Sequence, residues 1–351
     1  MKSMTFSQAI NDALHSAMKQ DDSVICYGLG VNDPKSIFGT TTGLEKAFSS
    51  ERVFDMPTAE NGMLGVGIGA AIGGLKPVMI HQRLDFFLLA MDQLVNSAAK
   101  WHFMFGGQQS VPITIRLIIG RGWGQGPTHS QSLQAMFAQI PGLKVVMPTN
   151  PDDAKGMLLE SIFDPNPVLF LEHRWLHHQI GDVNSSDTHR VSISKSKIIN
   201  AGNDITIIAL SYQVVESMKA IKFLESNLDI SCSLIDMVTV NPIDWETIVT
   251  DVQSTGRVLC VDTGMEICSV MSEVVAHISI NCFDSLKSKP RRITQPFQPE
   301  GTSFSLTKDL YSGAFEIASE ILMALEIDFD LSELKVTTPH DVPGAWFSGP
   351  F

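Results

Sequence analysis

What most constrains the fold of this chain is an alternation. Short apolar runs at residues 23–27, 77–80, 111–118, 143–147 and 167–171 take turns with stretches of helical apolar spacing at 6–19, 60–73, 87–102, 133–139 and 151–163. An unbroken apolar run of roughly four to eight residues is a strand buried on both faces. Strands separated by helix-length segments pair in parallel, because a parallel neighbour is reached only by a crossover. An α/β fold follows, a mostly parallel sheet with helices on both faces.

The pattern pauses at about residues 181–202, a polar stretch without periodicity, and resumes with runs or helices at 205–210, 214–225, 230–235, 245–252, 258–261, 270–278 and 310–325. The organisation expected is a first domain at 1–185, a linker at 186–202, a second α/β domain at 203–335 and a tail at 336–351. The tail, TTPHDVPGAWFSGPF, is rich in Pro, Gly and aromatics and is expected to dock on a neighbouring surface.

Charge removes some functions. The net charge is −13 and there is no basic run, which argues against nucleic acid or an anionic membrane surface as partner. No run approaches the ~18 apolar residues of a membrane span. The N-terminus lacks a signal-peptide core, so a cytoplasmic location is expected. The five cysteines, Cys26, Cys232, Cys260, Cys268 and Cys282, include no CxxC pair and read as reduced thiols.

Two segments could carry chemistry. In PTAENGMLGVGIGAAIGG, residues 57–74, Glu60 sits where a loop enters a helix of small residues that allow another element to approach closely. Its carboxylate reads either as a functional acid or as a group stabilised at the helix N-terminus. The close glycines do not form a dinucleotide fingerprint, since no strand runs into them and the spacing differs. In IIGRGWGQGPTHSQ, residues 118–131, a Gly-rich loop leaves a buried strand and delivers His129. Such loops are where open α/β sheets bind ligands, and a loop His is an acid–base group near neutral pH. A surface or capping His is the other reading. Ser130 beside it is no nucleophile, for there is no GxSxG.

Taken together, AENGMLGVGIGAAIGGLKPV, MDQLVNSAAKWHFMFGGQ, THSQSLQAMFAQIPGLKVVMPTNPDDAKGMLL and DPNPVLFLEH resemble the β subunits of pyruvate, branched-chain and acetoin dehydrogenases. The resemblance is close from about residue 4 to 180 and looser to about 325. It implies two transketolase-like domains, 1–185 binding a pyrimidine. Glu60 matches the glutamate that hydrogen-bonds the aminopyrimidine of thiamine diphosphate, Phe86 the aromatic residue packed on that ring, and His129 the active-site histidine. Ile113, Ser161, Ile162, Asp164 and Asn166 fall where some family members hold potassium, with side-chain oxygens from Asp164 and Asn166. A thiamine enzyme that grips its own diphosphate carries a GDG motif with an Asn ~30 residues on, ligating Mg²⁺ through hard oxygens. Here there is GDV at 181–183 and no GDG. The resemblance therefore implies a separate α subunit holding diphosphate and Mg²⁺ in an α2β2 heterotetramer, a β–β dimer within it, and a lipoyl acyltransferase partner.

Two positions depart from the family, and two residues beside the second are unusual. Leu29 stands where relatives carry an acid after the first strand, Ile80 where they carry Glu, and His81 and Arg83 are unusual. His81 and Arg83 read as contacts to an anionic substrate or acceptor, or, for Arg83, as an interface ion pair. The function expected is decarboxylation of a small, pyruvate-like 2-oxo acid with acyl transfer to lipoamide. One alternative is a carboligase or transketolase-like transferase with an aldehyde or ketone acceptor; another is a non-catalytic assembly subunit.

Overall fold

The computed structural model describes residues 1–33, 38–121, 124–335, 342–344 and 347. Most of the 336–351 tail, and with it the docking expectation, lies outside the described residues. The chain divides into two compact units: residues 1–119 with 136–193, and residues 120–135 with those from 194 onward.

In the first unit, strand β1 (Lys2–Thr5) runs into helix α1 (Phe6–Gln20). Thr5 starts that helix with a capping box: its hydroxyl accepts from Gln8 N–H at 3.2 Å, and Gln8 Oε1 accepts from Thr5 N–H at 2.9 Å. Then come β2 (Val24–Gly28), β3 (Val53–Asp55), α2 (Glu60–Ile72), β4 (Lys76–His81), β5 (Thr114–Ile119), β6 (Lys144–Val146), α3 (Pro151–Ile162), β7 (Val168–His173) and β8 (Ile180–Val183). The strands lie in the order β6-β7-β5-β4-β2-β3, every pair parallel. β1 and β8 form a separate antiparallel pair. Asn150 caps α3, its side chain accepting from Asp153 N–H at 2.9 Å, with Pro151 opening the first turn.

Every residue of β5 and β7 is buried, as their unbroken apolar runs require. Two charges share that interior. Arg116 of β5 meets Glu172 of β7 with Nε–Oε1 at 2.6 Å and Nη2–Oε2 at 3.0 Å, a bidentate pair that lets guanidinium and carboxylate satisfy one another away from water.

Glycine earns its place twice here. A Cβ at Gly67 of α2 would lie 2.0 Å from the Tyr27 hydroxyl oxygen, so the small residues of this helix admit the Tyr27 ring of β2. Gly142 has φ +90°, and a Cβ there would meet the Ala99 carbonyl oxygen at 1.9 Å.

The helix expected at 87–102 is not continuous. The segment comprises helical turns at Leu84–Phe87, a 3₁₀ turn at Leu88–Ala90, a π-helical stretch at Gln93–Ala98 and α-helix at Ala99–Met104. Apolar spacing does not separate these hydrogen-bonding patterns, since all keep one face inward; π-turns recur beside functional sites.

In the second unit, β9 (Lys197–Asn200), β10 (Ile205–Ala209), β11 (Cys232–Asp236), β12 (Val258–Met265) and β13 (Arg291–Gln295) lie in the order β13-β12-β10-β11-β9. The β9–β11 pair is antiparallel and the others parallel. Helices α4 (Tyr212–Asn227), α5 (Trp245–Thr255), α6 (Val270–Asn281) and α7 (Ala314–Leu325) accompany the sheet. Ile207, Leu224, Leu234, Leu259, Ile317 and Ile321 belong to its apolar core.

Candidate active site

The first unit gathers four of the expected residues. β4 ends at His81, the chain turns through Arg83, and the short helix Leu84–Phe87 carries Phe86, while Glu60 opens α2. The N-cap of α2 is Ala59, with no side-chain cap hydrogen bond. The Glu60 carboxylate turns instead to His81, with Oε1 3.6 Å from Nε2. Glu60 is 8% exposed and His81 1%, so the pair meets where water is scarce. His81 Nδ1 lies 3.1 Å from the Arg83 carbonyl oxygen. The Phe86 and Phe87 rings flank the imidazole, each with centroids 6.5 Å away. Phe86 keeps 40% of its surface exposed, an apolar ring face next to His81.

Burial pulls His81 below the ordinary histidine range, although the Glu60 charge pulls the other way. Nearby, Arg174 is drawn down to about 9, first by burial and then by the like charge of Arg83, with Asp85 opposing. Arg83 and Arg174 are both buried. This paired positive charge beside the β4 end was not legible in sequence, because the two arginines stand far apart along the chain.

Leu29 and Ile80 are adjacent in the sheet: Gly28 pairs with Ile80, and Leu29 N–H donates to the Ile80 carbonyl at 3.2 Å.

His129 belongs to the second unit, on the 120–135 segment. It is half-buried, with Nδ1 3.0 Å from the Thr128 hydroxyl. Three long-range contacts anchor its loop. The Arg121 guanidinium lies 3.1 Å over the Tyr311 ring. Ser130 is hydrogen-bonded to Glu300, which also accepts from Tyr311 Oη at 2.6 Å and Gln295 Nε2 at 3.0 Å. Gln134 Nε2 donates to Asp262 Oδ1 at 2.7 Å. Burial pushes the Glu300 and Asp262 carboxyls upward. No local pattern marks Glu300 or Asp262, because each partner lies more than a hundred residues from the loop it holds.

The potassium residues lie in the first unit. The Ile113 carbonyl accepts from Val168 N–H at 3.0 Å and that of Ser161 from Asp164 N–H at 3.2 Å; each keeps a second lone pair. The Ser161 hydroxyl is committed to the Met157 carbonyl at 2.7 Å. Asp164 pairs with Lys144 and accepts from Asn166 N–H at 2.9 Å. Asn166 Oδ1 is buried with no hydrogen-bond partner among the described residues. An orphaned, buried carbonyl oxygen is a donor that fits a hard monovalent cation.

Comparison with known proteins gives a consistent picture. Residues 2–178 match the family described as transketolase, pyrimidine binding domain, and residues 194–311 match transketolase, C-terminal domain. The chain is 38% identical over 293 residues to the pyruvate dehydrogenase E1 component subunit beta of Staphylococcus epidermidis, covering 84% of this chain and 90% of that protein. It is 39% identical over the same span to the protein of that description from Staphylococcus aureus. Among solved structures it is similar to a split gene transketolase, an inactive beta4 tetramer, with TM-score 0.72 and 19% identity over 93% of this chain and 99% of that one. That last likeness speaks for the fold alone.

Proposed function

The chain belongs to the transketolase-like family that includes the pyruvate dehydrogenase E1 β subunits, and from that premise we propose that it is the β subunit of a thiamine-diphosphate-dependent 2-oxo-acid dehydrogenase. The substrate proposed is a small, pyruvate-like 2-oxo acid, and the acyl acceptor lipoamide on an acyltransferase component. The observation that carries the reading is Glu60: a nearly buried carboxylate against the same His81 ring that the partly exposed Phe86 ring adjoins. An aminopyrimidine needs that combination, an acid to meet a ring nitrogen and an aromatic surface to lie on.

Thiamine diphosphate supplies the electron sink for decarboxylation when bound. Glu60 holds a proton at the pyrimidine N1′, in surroundings where a hydrogen bond acts strongly. Phe86 orients the ring and excludes water from its face. His129 holds or moves a proton at the reacting oxygen when the acyl unit leaves.

With no GDG motif, the chain leaves the diphosphate and Mg²⁺ to an α subunit, completing an α2β2 heterotetramer built on a β–β dimer. Exposed Leu89 and Phe103 supply apolar surface for such partners. A potassium ion at Ile113, Ser161, Ile162, Asp164 and Asn166 steadies the first unit. No helix among the described residues is long and apolar enough to cross a membrane, and the described cysteines are free thiols, which supports a place in the cytoplasm.

The test is reconstitution with the α chain encoded beside it. Calorimetry should show thiamine diphosphate binding to the complex, and 2-oxo-acid-dependent release of carbon dioxide should follow. Glu60→Gln should lower turnover by about 10²- to 10⁴-fold while the complex still assembles. Full activity in that variant refutes the reading. A second reading replaces lipoamide with an aldehyde or ketone acceptor, and the buried Arg83–Arg174 pair favours it by offering charge to an anionic acceptor. Product analysis with lipoyl protein against such acceptors separates the two.

A further inference from the structure

We infer that Glu300 is a positioning residue for His129: with Thr302 and Tyr311 of the same segment, it holds the Gly-rich loop 120–130 at both ends and in its middle. The catalytic consequence rests on the reading of His129 given above; the holding of the loop stands on geometry within the second unit.

A loop of this composition does not hold itself. Gly120, Gly122, Gly124 and Gly126 stand among its eleven residues, and glycine loses more backbone freedom on ordering than any other residue. Contacts must offset that cost if the histidine near its end is to keep one position.

Three contacts do so, all from residues 300–311. At the start of the loop, the Arg121 guanidinium lies 3.1 Å over the Tyr311 ring, a cation on an aromatic face. In the middle, Gly124 and Gly126 have φ of +53° and +73°. A Cβ at Gly124 would lie 3.0 Å from the Thr302 carbonyl oxygen, and one at Gly126 2.5 Å from Thr302 Cγ2. The loop backbone therefore rests directly on Thr302, a fit that glycine permits on both conformation and space. At the end, the Ser130 hydroxyl donates to the Glu300 carboxylate.

Glu300 joins the two ends. Its Oε2 accepts from Tyr311 Oη at 2.6 Å and its Oε1 from Gln295 Nε2 at 3.0 Å. The carboxylate that holds Ser130 thus also fixes the ring under Arg121. An ionised carboxylate only accepts, and its two oxygens have room for all three donors. Glu300 and Ser130 are 5% and 1% exposed, so water competes little for these bonds. His129 stands between two held points: its N–H donates to the Gly126 carbonyl at 3.3 Å, and Ser130 follows it directly.

The consequence falls on the chemical step. An acid–base group works only within a hydrogen bond's reach, and a displacement of about 1 Å costs on the order of 10²-fold in rate. Glu300 acts through the place it gives His129.

Hydrogen exchange of the full chain, read by mass spectrometry, tests the holding without cofactor or partner. In Glu300→Ala, amides of 124–132 should exchange about ten- to a hundredfold faster, the effect of losing hydrogen bonds to a charged group. Those of α4 should stay within about twofold of wild type, because the opening is local. Glu300→Gln should restore most of the protection, since its amide oxygen still accepts from Tyr311 and its N–H groups can donate to the Ser130 hydroxyl. Unchanged loop exchange in Glu300→Ala, an equal rise in α4, or a Gln variant as open as the Ala variant overturns the inference. In the complex with the α chain, Glu300→Ala should lower kcat by about 10²-fold, with KM and thiamine diphosphate affinity changed less than about threefold. Glu300→Gln should recover most of that loss. A fall in affinity as large as the fall in kcat marks a general structural role and overturns the positioning. Should the wild-type complex show no 2-oxo-acid turnover, the functional reading fails, while the exchange measurement still decides whether Glu300 holds the loop.

Discussion

Replacing Glu172 by Gln isolates the energetics of the charge pair at the centre of the first unit. Arg116 and Glu172 are 1% and 0% exposed and joined by two hydrogen bonds, and His177 Nε2 lies 3.3 Å from Glu172 Oε2. Gln keeps the shape but removes the charge, leaving a guanidinium with almost no access to water. Breaking a buried pair from one side costs about 3–5 kcal/mol. The carboxyl's titration gives a second route to that figure. Burial raises its pKa, yet Arg116 and His177 more than offset this and hold it at about 2 against an ordinary 4.5. At 1.36 kcal/mol per unit, a drop of that size corresponds to about 3 kcal/mol. The two routes agree. The folded pKa is depressed, so this stabilisation is present above the unfolded value of 4.5 and disappears as pH falls through about 2. The assay is calorimetric melting at neutral pH and at pH 3. A loss of ~3 kcal/mol corresponds to a fall of roughly 6–12 °C in Tm, and the gap between wild type and variant should narrow on acidification. Arg116→Met with Glu172→Leu should melt above Glu172→Gln, because no charge is left unpaired. A single variant within 1 °C of wild type, or a gap that widens in acid, refutes the reasoning.

Gly67→Ala places a Cβ 2.0 Å from the Tyr27 hydroxyl oxygen and 2.9 Å from Ile113 Cδ1. It should destabilise by about 1–3 kcal/mol in urea, with Tyr27→Phe recovering part of the loss; no recovery contradicts the packing argument. The Asp262 carboxyl is raised by burial, and its Oδ2 has no hydrogen-bond partner among the described residues. A raised acid contributes stability that is lost as pH rises through its folded pKa, so Asp262→Asn should gain on wild type in melting temperature between acid and neutral pH; parallel pH curves contradict this. Potassium at constant ionic strength should stabilise the wild type by up to about 2.7 kcal/mol at a hundred times its Kd and do little for Asn166→Ala; equal shifts with sodium count against the site.

The parallel sheets were legible because buried strands leave unbroken apolar runs: β5 and β7 are buried throughout. What escaped were edge elements. β9 and β13, KIIN and RRITQ, carry polar and charged residues because an edge strand faces water on one side, so neither leaves an apolar run. The break of the 87–102 helix was invisible for a related reason, since α, 3₁₀ and π turns share an inward face over so short a span. Of the candidate site, Glu60, Phe86 and His129 are the residues that the motifs propose. The contacts that hold the His129 loop, Glu300, Asp262 and Tyr311, were not among them, because nothing local distinguishes a carboxylate that anchors a loop from one that faces solvent.

The amino-acid order alone determined the layering of sheets and helices, the family, and the acid at the start of α2. Those features depend on period, composition and short motifs, which a linear string records in full. Folding decided whom that acid faces. His81 and Glu60 are separated by a helix and a strand in the chain, and only the parallel pairing of β4 beside β2, with α2 leading into β4, brings the imidazole to the carboxylate. The same holds for Arg83 with Arg174 and Arg116 with Glu172: charge pairing depends on distances of a few ångströms across strands, and sequence separation does not encode them.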